Sequence, residues 1–134
     1  MTEKRKYDLD ERLIDFAALI IVVTESLNNS RAGNYIAGQL VRSGSSPALD
    51  YGEAQSAESR ADFIHKLKIL LKELRESRNA LRIIKKGVLT DRMENVEKVL
   101  IECVELISIF VKSIETAKKN MEEERKIKLK NKTI

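Results

Sequence analysis

Residues 59–88 read SRADFIHKLKILLKELRESRNALRIIKKGV, and this stretch decides the fold. Phe63, Leu67, Leu70, Leu74, Ser77, Leu81, Ile84 and Val88 follow one another at alternating spacings of four and three. That rhythm keeps one seam of an α-helix apolar, broken only by Ser77. Ser59 with Asp62 makes a capping-box-like start, and Gly87 is placed to end the helix as a left-handed cap. The spacing predicts a helix over about 59–86. On the opposite face Lys68, Lys72, Arg75, Asn79, Arg82 and Lys86 repeat the rhythm, and all but Asn79 are cations.

Downstream, Met93, Val96, Leu100, Cys103, Ile107, Phe110, Ile114 and Ala117 give the same alternation and predict a helix over about 90–118. Upstream, Leu9, Leu13, Phe16, Ile20, Val23 and Leu27 predict another over about 8–27. Asp8, Asp10 and Glu11 place negative charge where a helix N-terminus favours it. Residues 31–57 are less regular. Ala32, Ile36, Gln39 and Leu40 have helical spacing, but Ser43-Gly44-Ser45-Ser46-Pro47 follows. Pro47 has no backbone N–H and biases Ser46 away from the α region. Two helical pieces are expected there, interrupted near 43–47 by a kink or short loop. Residues 119–134 lose the periodicity and read as a basic, disordered tail. Short connections make sequence neighbours antiparallel. The expected fold class is therefore all-α: one domain, an antiparallel up-down-up-down four-helix bundle with a kinked or broken second helix.

Composition fits. A chain of 134 residues suits one domain and buries enough surface to dispense with staples. Hydrophobic residues at 43% with a single Pro favour long helices. The one cysteine, Cys103, has no intramolecular disulfide partner, as expected in a reducing compartment. MTEKRKYDLDER has no apolar signal region, and the longest apolar run, Phe16–Val23, is far short of the roughly 20 residues that span a bilayer. A cytoplasmic protein without a membrane segment is expected.

No catalytic, cofactor or metal site emerges from the spacing. His65 has Ala61 and Ile69 at the positions where a second ligand would stand. Cys103 lies on an apolar seam and reads as a small hydrophobe rather than a nucleophile. Glu73 and Glu76 are surrounded by Lys72, Arg75 and Arg78, so surface ion pairing explains them better than acid–base chemistry. Arg42-Ser43-Gly44-Ser45-Ser46 lacks the Lys of a phosphate loop. The strongest chemical feature is the cationic row Lys68, Lys72, Arg75, Arg82 and Lys86, which would track nucleic-acid phosphates. A solvated outer face has the same composition, and no aromatic residue interleaves with the row to stack bases.

Two helices carry more apolar surface than one seam uses. Ile14, Ala18 and Ile21 form a second row on the first helix, with Val22 beside it. Val99, Val104, Leu106 and Val111 flank the seam of the last, with Ile101 and Ile109 further round. Contiguous exposed apolar surface is unusual on a monomer, which favours self-association through Ile14, Ala18 and Ile21.

The stretch from Gln39 to Ile84 carries a set of weak motifs: Gln39-Leu40 with Arg42-Ser43; Ser46, Asp50, Glu53 and Ala54; Ser59 with Asp62-Phe63; Lys66-Leu67; and Lys72-Glu73 with Glu76. As a set they resemble the bacterial four-helix-bundle proteins encoded by intervening sequences of 23S rRNA genes. The chain is also similar to the related accessory protein of diversity-generating retroelements. The resemblance implies a left-handed bundle assembling as a ring-like homopentamer, and in the second case one associated with RNA and reverse transcriptase. It gives Arg42, Ser43, Glu53 and Glu73 as family-motif residues without an assigned role. Asp50 stands where Asn is usual and Ala80 where an aromatic is usual. The sequence thus reads as a non-enzymatic oligomeric bundle associating with RNA or a ribonucleoprotein, with no small-molecule substrate or cofactor. A structural protein–protein interaction module without nucleic acid is the alternative.

Overall fold

Four helices account for nearly all of the computed structural model, which describes residues 8–132. They are α1 (Leu9–Glu25), α2 (Arg31–Gln55), α3 (Arg60–Gly87) and α4 (Met93–Lys132). Three begin with a side-chain cap. Asp8, Ser30 and Ser59 accept the backbone N–H of Glu11, Gly33 and Asp62 at 3.1, 3.0 and 3.0 Å. Each bond satisfies a donor that the first helical turn leaves without an intrahelical partner.

Each helix packs on its sequence neighbours, and α1 also packs on α4, which closes the up-down-up-down bundle. The loops after α1 and α3 meet at one end. Asn28 N–H donates to the Leu89 carbonyl at 2.8 Å, and the Thr90 hydroxyl donates to the Ser26 carbonyl at 3.0 Å. Thr90 Oγ1 also accepts the Arg92 N–H, so the turn into α4 fixes itself before the helix starts at Met93.

The seams meet in the core. Leu13, Phe16, Ile20 and Val23 of α1 are fully buried, as are Leu67, Leu70, Leu74, Leu81 and Ile84 of α3. From α4 come Val96, Cys103 and Phe110. Each large side chain so placed contributes about 1.5–3 kcal/mol of apolar burial. Tyr51 of α2 meets Phe110 edge-on, with ring centroids 5.7 Å apart.

Three expectations are corrected. First, α2 runs unbroken through Pro47. Ser43 and Gly44 are buried, and a Cβ on Gly44 would lie 2.6 Å from Ile20 Cγ2. The Ser43 and Ser77 hydroxyls meet at 2.9 Å inside the α2–α3 contact. The small residues that read as a loop are therefore what lets three helices approach closely. Beside Pro47, the Ser45 and Ser46 hydroxyls donate to the Val41 and Arg42 carbonyls at 2.6 and 2.7 Å.

Second, residues 119–132 are helical, continuing α4, while residues 133–134 of the expected tail lie outside the described residues. Met121 packs against the core, Arg60 pairs with Glu124 at 3.3 Å, and the segment is rich in Glu and Lys, which suit helices. Third, the left-handed residue ending α3 is Val88, not Gly87. Leu89 N–H reaches back to the Ile84 carbonyl and Val88 N–H to that of Lys85, the Schellman pattern. Leu89 then packs on the core in place of Val88, which is exposed.

Candidate nucleic-acid interface

Two groups of cations stand out by position. In the first, Arg12, Arg42, Lys66 and Lys85 are paired at helix–helix edges. Arg12 of α1 grips Glu102 of α4 with two hydrogen bonds of 2.8 and 2.9 Å and reaches Glu105 at 3.0 Å. Its side-chain bonds to Glu102 hold the guanidinium proton above its ordinary range. Arg42 of α2 bonds both oxygens of Glu73 at 3.2 Å and Glu76 at 2.7 Å on α3. Lys66 pairs with Glu53 at 3.2 Å, and Lys85 with Glu97 at 2.8 Å.

The second group lies along the outside of α3. Lys68, Lys72, Arg75, Arg82 and Lys86 are all exposed, and none forms an ion pair among the described residues. From Lys68 to Lys86 the row spans about 27 Å at the α-helical rise. Asn79 stands within it, and Ile69 and Ile83 are exposed beside it. The seam on the other side of α3 anchors the row, so the cations hold their register on a packed helix rather than a loop.

Beside the C-terminal half of the row, a shallow groove of about 800 Å³ runs between α3 and α4. Arg78, Arg82, Lys85 and Lys86 line it with Leu100 and Val104. Arg78 Nε is shielded from solvent and has no hydrogen-bond partner. Arg78 and Lys85 fall on the α4-facing flank of α3, off the periodic row, so the spacing alone does not mark them as part of a site.

The family-motif residues have a structural place. Arg42 with Glu73, and Glu53 with Lys66, are ion pairs tying α2 to α3; Ser43 makes the buried bond to Ser77. Arg42 itself is exposed, so this network lies at the surface of the α2–α3 contact. Asp50 belongs to the same edge. Burial first, and then Glu73 and Glu53, raise its carboxyl above the ordinary range, against a smaller opposing effect of Lys66. Its Oδ2 is shielded and lacks a hydrogen-bond partner.

The α1 row is on the outside. Ile14 and Ile21 are 46% and 51% exposed, and Ala18 between them is also exposed. His65 is exposed as well. Cys103 is buried, its thiol 3.2 Å from the Leu74 carbonyl and pushed up to about 12 by burial, which keeps it neutral. Among the described residues no group of three or more His, Cys, Asp or Glu side chains is placed to hold a metal ion. No helix among them is long and apolar enough to cross a membrane.

Fold and surface together define an all-α four-helix-bundle protein with a cationic row along the outside of α3. Residues 5–112 match the family described as 23S rRNA-intervening sequence protein, and the chain belongs to that family. It is similar to the crystal structure of a protein of unknown function from the S23 ribosomal protein family of Bacteroides thetaiotaomicron VPI-5482. The two are 31% identical, with a TM-score of 0.69, over 78% of this chain and 96% of that one. No curated protein matches the sequence.

Proposed function

We propose that this chain is a non-enzymatic, cytoplasmic, oligomeric bundle protein that associates with RNA or a ribonucleoprotein through the outer face of α3. One observation carries the RNA reading: five exposed cations in register on one helix face, without carboxylate partners among the described residues. Cations destined only for structure are paired here, as Arg12, Arg42 and Lys66 are. Unpaired ones gain most from a polyanion, whose neutralisation releases counterions. Such contacts position a backbone without reading its bases. The family description, with its reference to 23S rRNA, fits an RNA setting.

The test is RNA binding across a salt series. On single strands the logarithm of affinity falls by about 0.7 per phosphate neutralised for each tenfold rise in salt, so five contacts give a slope of roughly −3.5. Binding is expected to show little sequence preference and to disappear when Lys68, Lys72, Arg75 and Arg82 are changed to Glu, with helix content unchanged. Absence of binding at low salt would sink the reading. A purely structural interaction module is the second reading, favoured by the exposed row Ile14, Ala18 and Ile21. Both readings share self-association, and the resemblance suggests five copies. Sedimentation equilibrium at micromolar concentration checks it, and a species of 15.3 kDa alone would end it.

A further inference from the structure

We infer that the outer face of α1 in one copy docks into the α3–α4 groove of a second copy; this rests on the self-association proposed above and names the surfaces that perform it. The groove has an apolar floor, Leu100 and Val104, and a rim of Arg78, Arg82 and Lys86 without ion-pair partners among the described residues. Lys85 is already engaged by Glu97. The α1 face has the opposite character. Ile14, Ala18 and Ile21 are exposed down its centre, and the exposed Glu11, Asp15 and Glu25 flank them, unpaired among the described residues. The only cation of α1, Arg12, is drawn to Glu102 and Glu105 on α4 and leaves this face uniformly acidic.

Each surface lacks what the other has. Two α1 faces would set carboxylates against carboxylates, and two grooves would set cations against cations, arrangements that cost affinity. The contact is therefore between unlike faces. An RNA backbone would satisfy the rim but offer nothing apolar to Leu100 and Val104, so docking takes Arg82 and Lys86 and leaves Lys68, Lys72 and Arg75 to RNA in the assembly. An acidic amphipathic helix satisfies both, in the manner of helix-in-groove recognition. Contacts between unlike faces propagate from copy to copy and form a ring where the rotation closes. That fits here, because α1 lies against α2 and α4 while the groove lies where α3 meets α4. Each added copy is thus turned relative to the last.

Two variants test this. Ile14→Lys with Ile21→Lys places cations against the basic groove. Val104→Glu with Arg82→Glu places carboxylates against the acidic face. All four positions are exposed, and circular dichroism verifies that both variants fold. In sedimentation velocity each variant alone is expected to run as a monomer while the unaltered chain runs as an assembly. Mixed in equal amounts, they are expected to associate, because each retains one intact face. Monomers in the mixture, or a groove variant that still assembles, would overturn the docking pair. So would a groove variant that loses RNA binding yet remains fully assembled. An unaltered chain that is itself monomeric would instead overturn the self-association on which the inference rests.

Discussion

Val88 ends α3 with a φ of 50°, the only positive φ on a non-glycine residue among those described. A β-branched side chain in this region is strained, at about 1–2 kcal/mol for an L-residue. The two back-bonds to Ile84 and Lys85, and the seating of Leu89 on the core, hold it there. Val88 itself is exposed, so its side chain contributes little burial. Val88→Gly is therefore expected to stabilise the chain by about 1 kcal/mol, after allowing for the greater freedom of glycine when unfolded. A urea midpoint that falls would show that the strain is absent. Asp50 carries a pH-dependent counterpart. Its raised carboxyl binds a proton more tightly in the folded chain than in the unfolded one. Its contribution is fully present at low pH and is lost as pH rises through the ordinary carboxylate range toward the raised value. Asp50→Asn is expected to raise the urea midpoint at pH 7, and the gain should vanish as pH falls below the ordinary carboxylate range, to about 3. An equal gain at both pH values would remove charge from the account.

Among the elements, α2 separates two uses of glycine. A Cβ on Gly44 would press within 3.0 Å of three Ile20 side-chain atoms, whereas one on Gly38 or Gly52 would meet nothing within 4 Å. Gly44→Ala is expected to cost about 1–3 kcal/mol through overpacking against a β-branched neighbour. Gly38→Ala and Gly52→Ala are expected to gain up to about 1 kcal/mol each from helix propensity. Denaturant titration of the three variants checks the contrast, and equal effects would refute it. The same helix explains what the sequence disclosed. Seams at 4-3 spacing located α1, α3 and α4 because a bundle core selects for that period directly. Ser43-Gly44-Ser45-Ser46-Pro47 misled because small residues mark both turns and close helix contacts, and only the partner Ile20 tells them apart. The cationic row was legible for the reason the seams were. The groove was not, since Leu100 and Val104 come from a helix whose angular position the sequence does not state.

On the scale of the molecule, the charges divide between holding the bundle together and facing outward, and the C-terminal part of α4 tests which cations meet RNA. At the helical rise α4 is about 60 Å long and α3 about 42 Å, so α4 extends beyond the bundle. Among the described residues Met121 is the last of α4 to pack against the core, and Glu124 pairs with Arg60. Beyond these, Arg125, Lys126, Lys128, Lys130 and Lys132 add a second concentration of positive charge with no seam beneath it. A chain ending at Asn120 loses the exposed Arg60–Glu124 pair, worth at most about 1 kcal/mol, the exposed Glu122–Arg125 pair within α4, and one partly buried methionine. It should therefore unfold cooperatively within about 2 kcal/mol of the full chain. Circular dichroism should show fewer helical residues, all lost from α4. If the α3 row is the RNA face, the shortened chain retains binding, and its salt slope remains that of the full chain. If the terminal cations carry the binding, affinity collapses on truncation and the α3 charge reversals have no effect on the full chain. A row seated on a packed helix presents its cations in fixed register, while the terminal turns, with no residue in the core beyond Met121 among those described, fray and lose order first. Amide exchange should show that gradient, with slow exchange over Val96–Ala117 and fast exchange after Glu124.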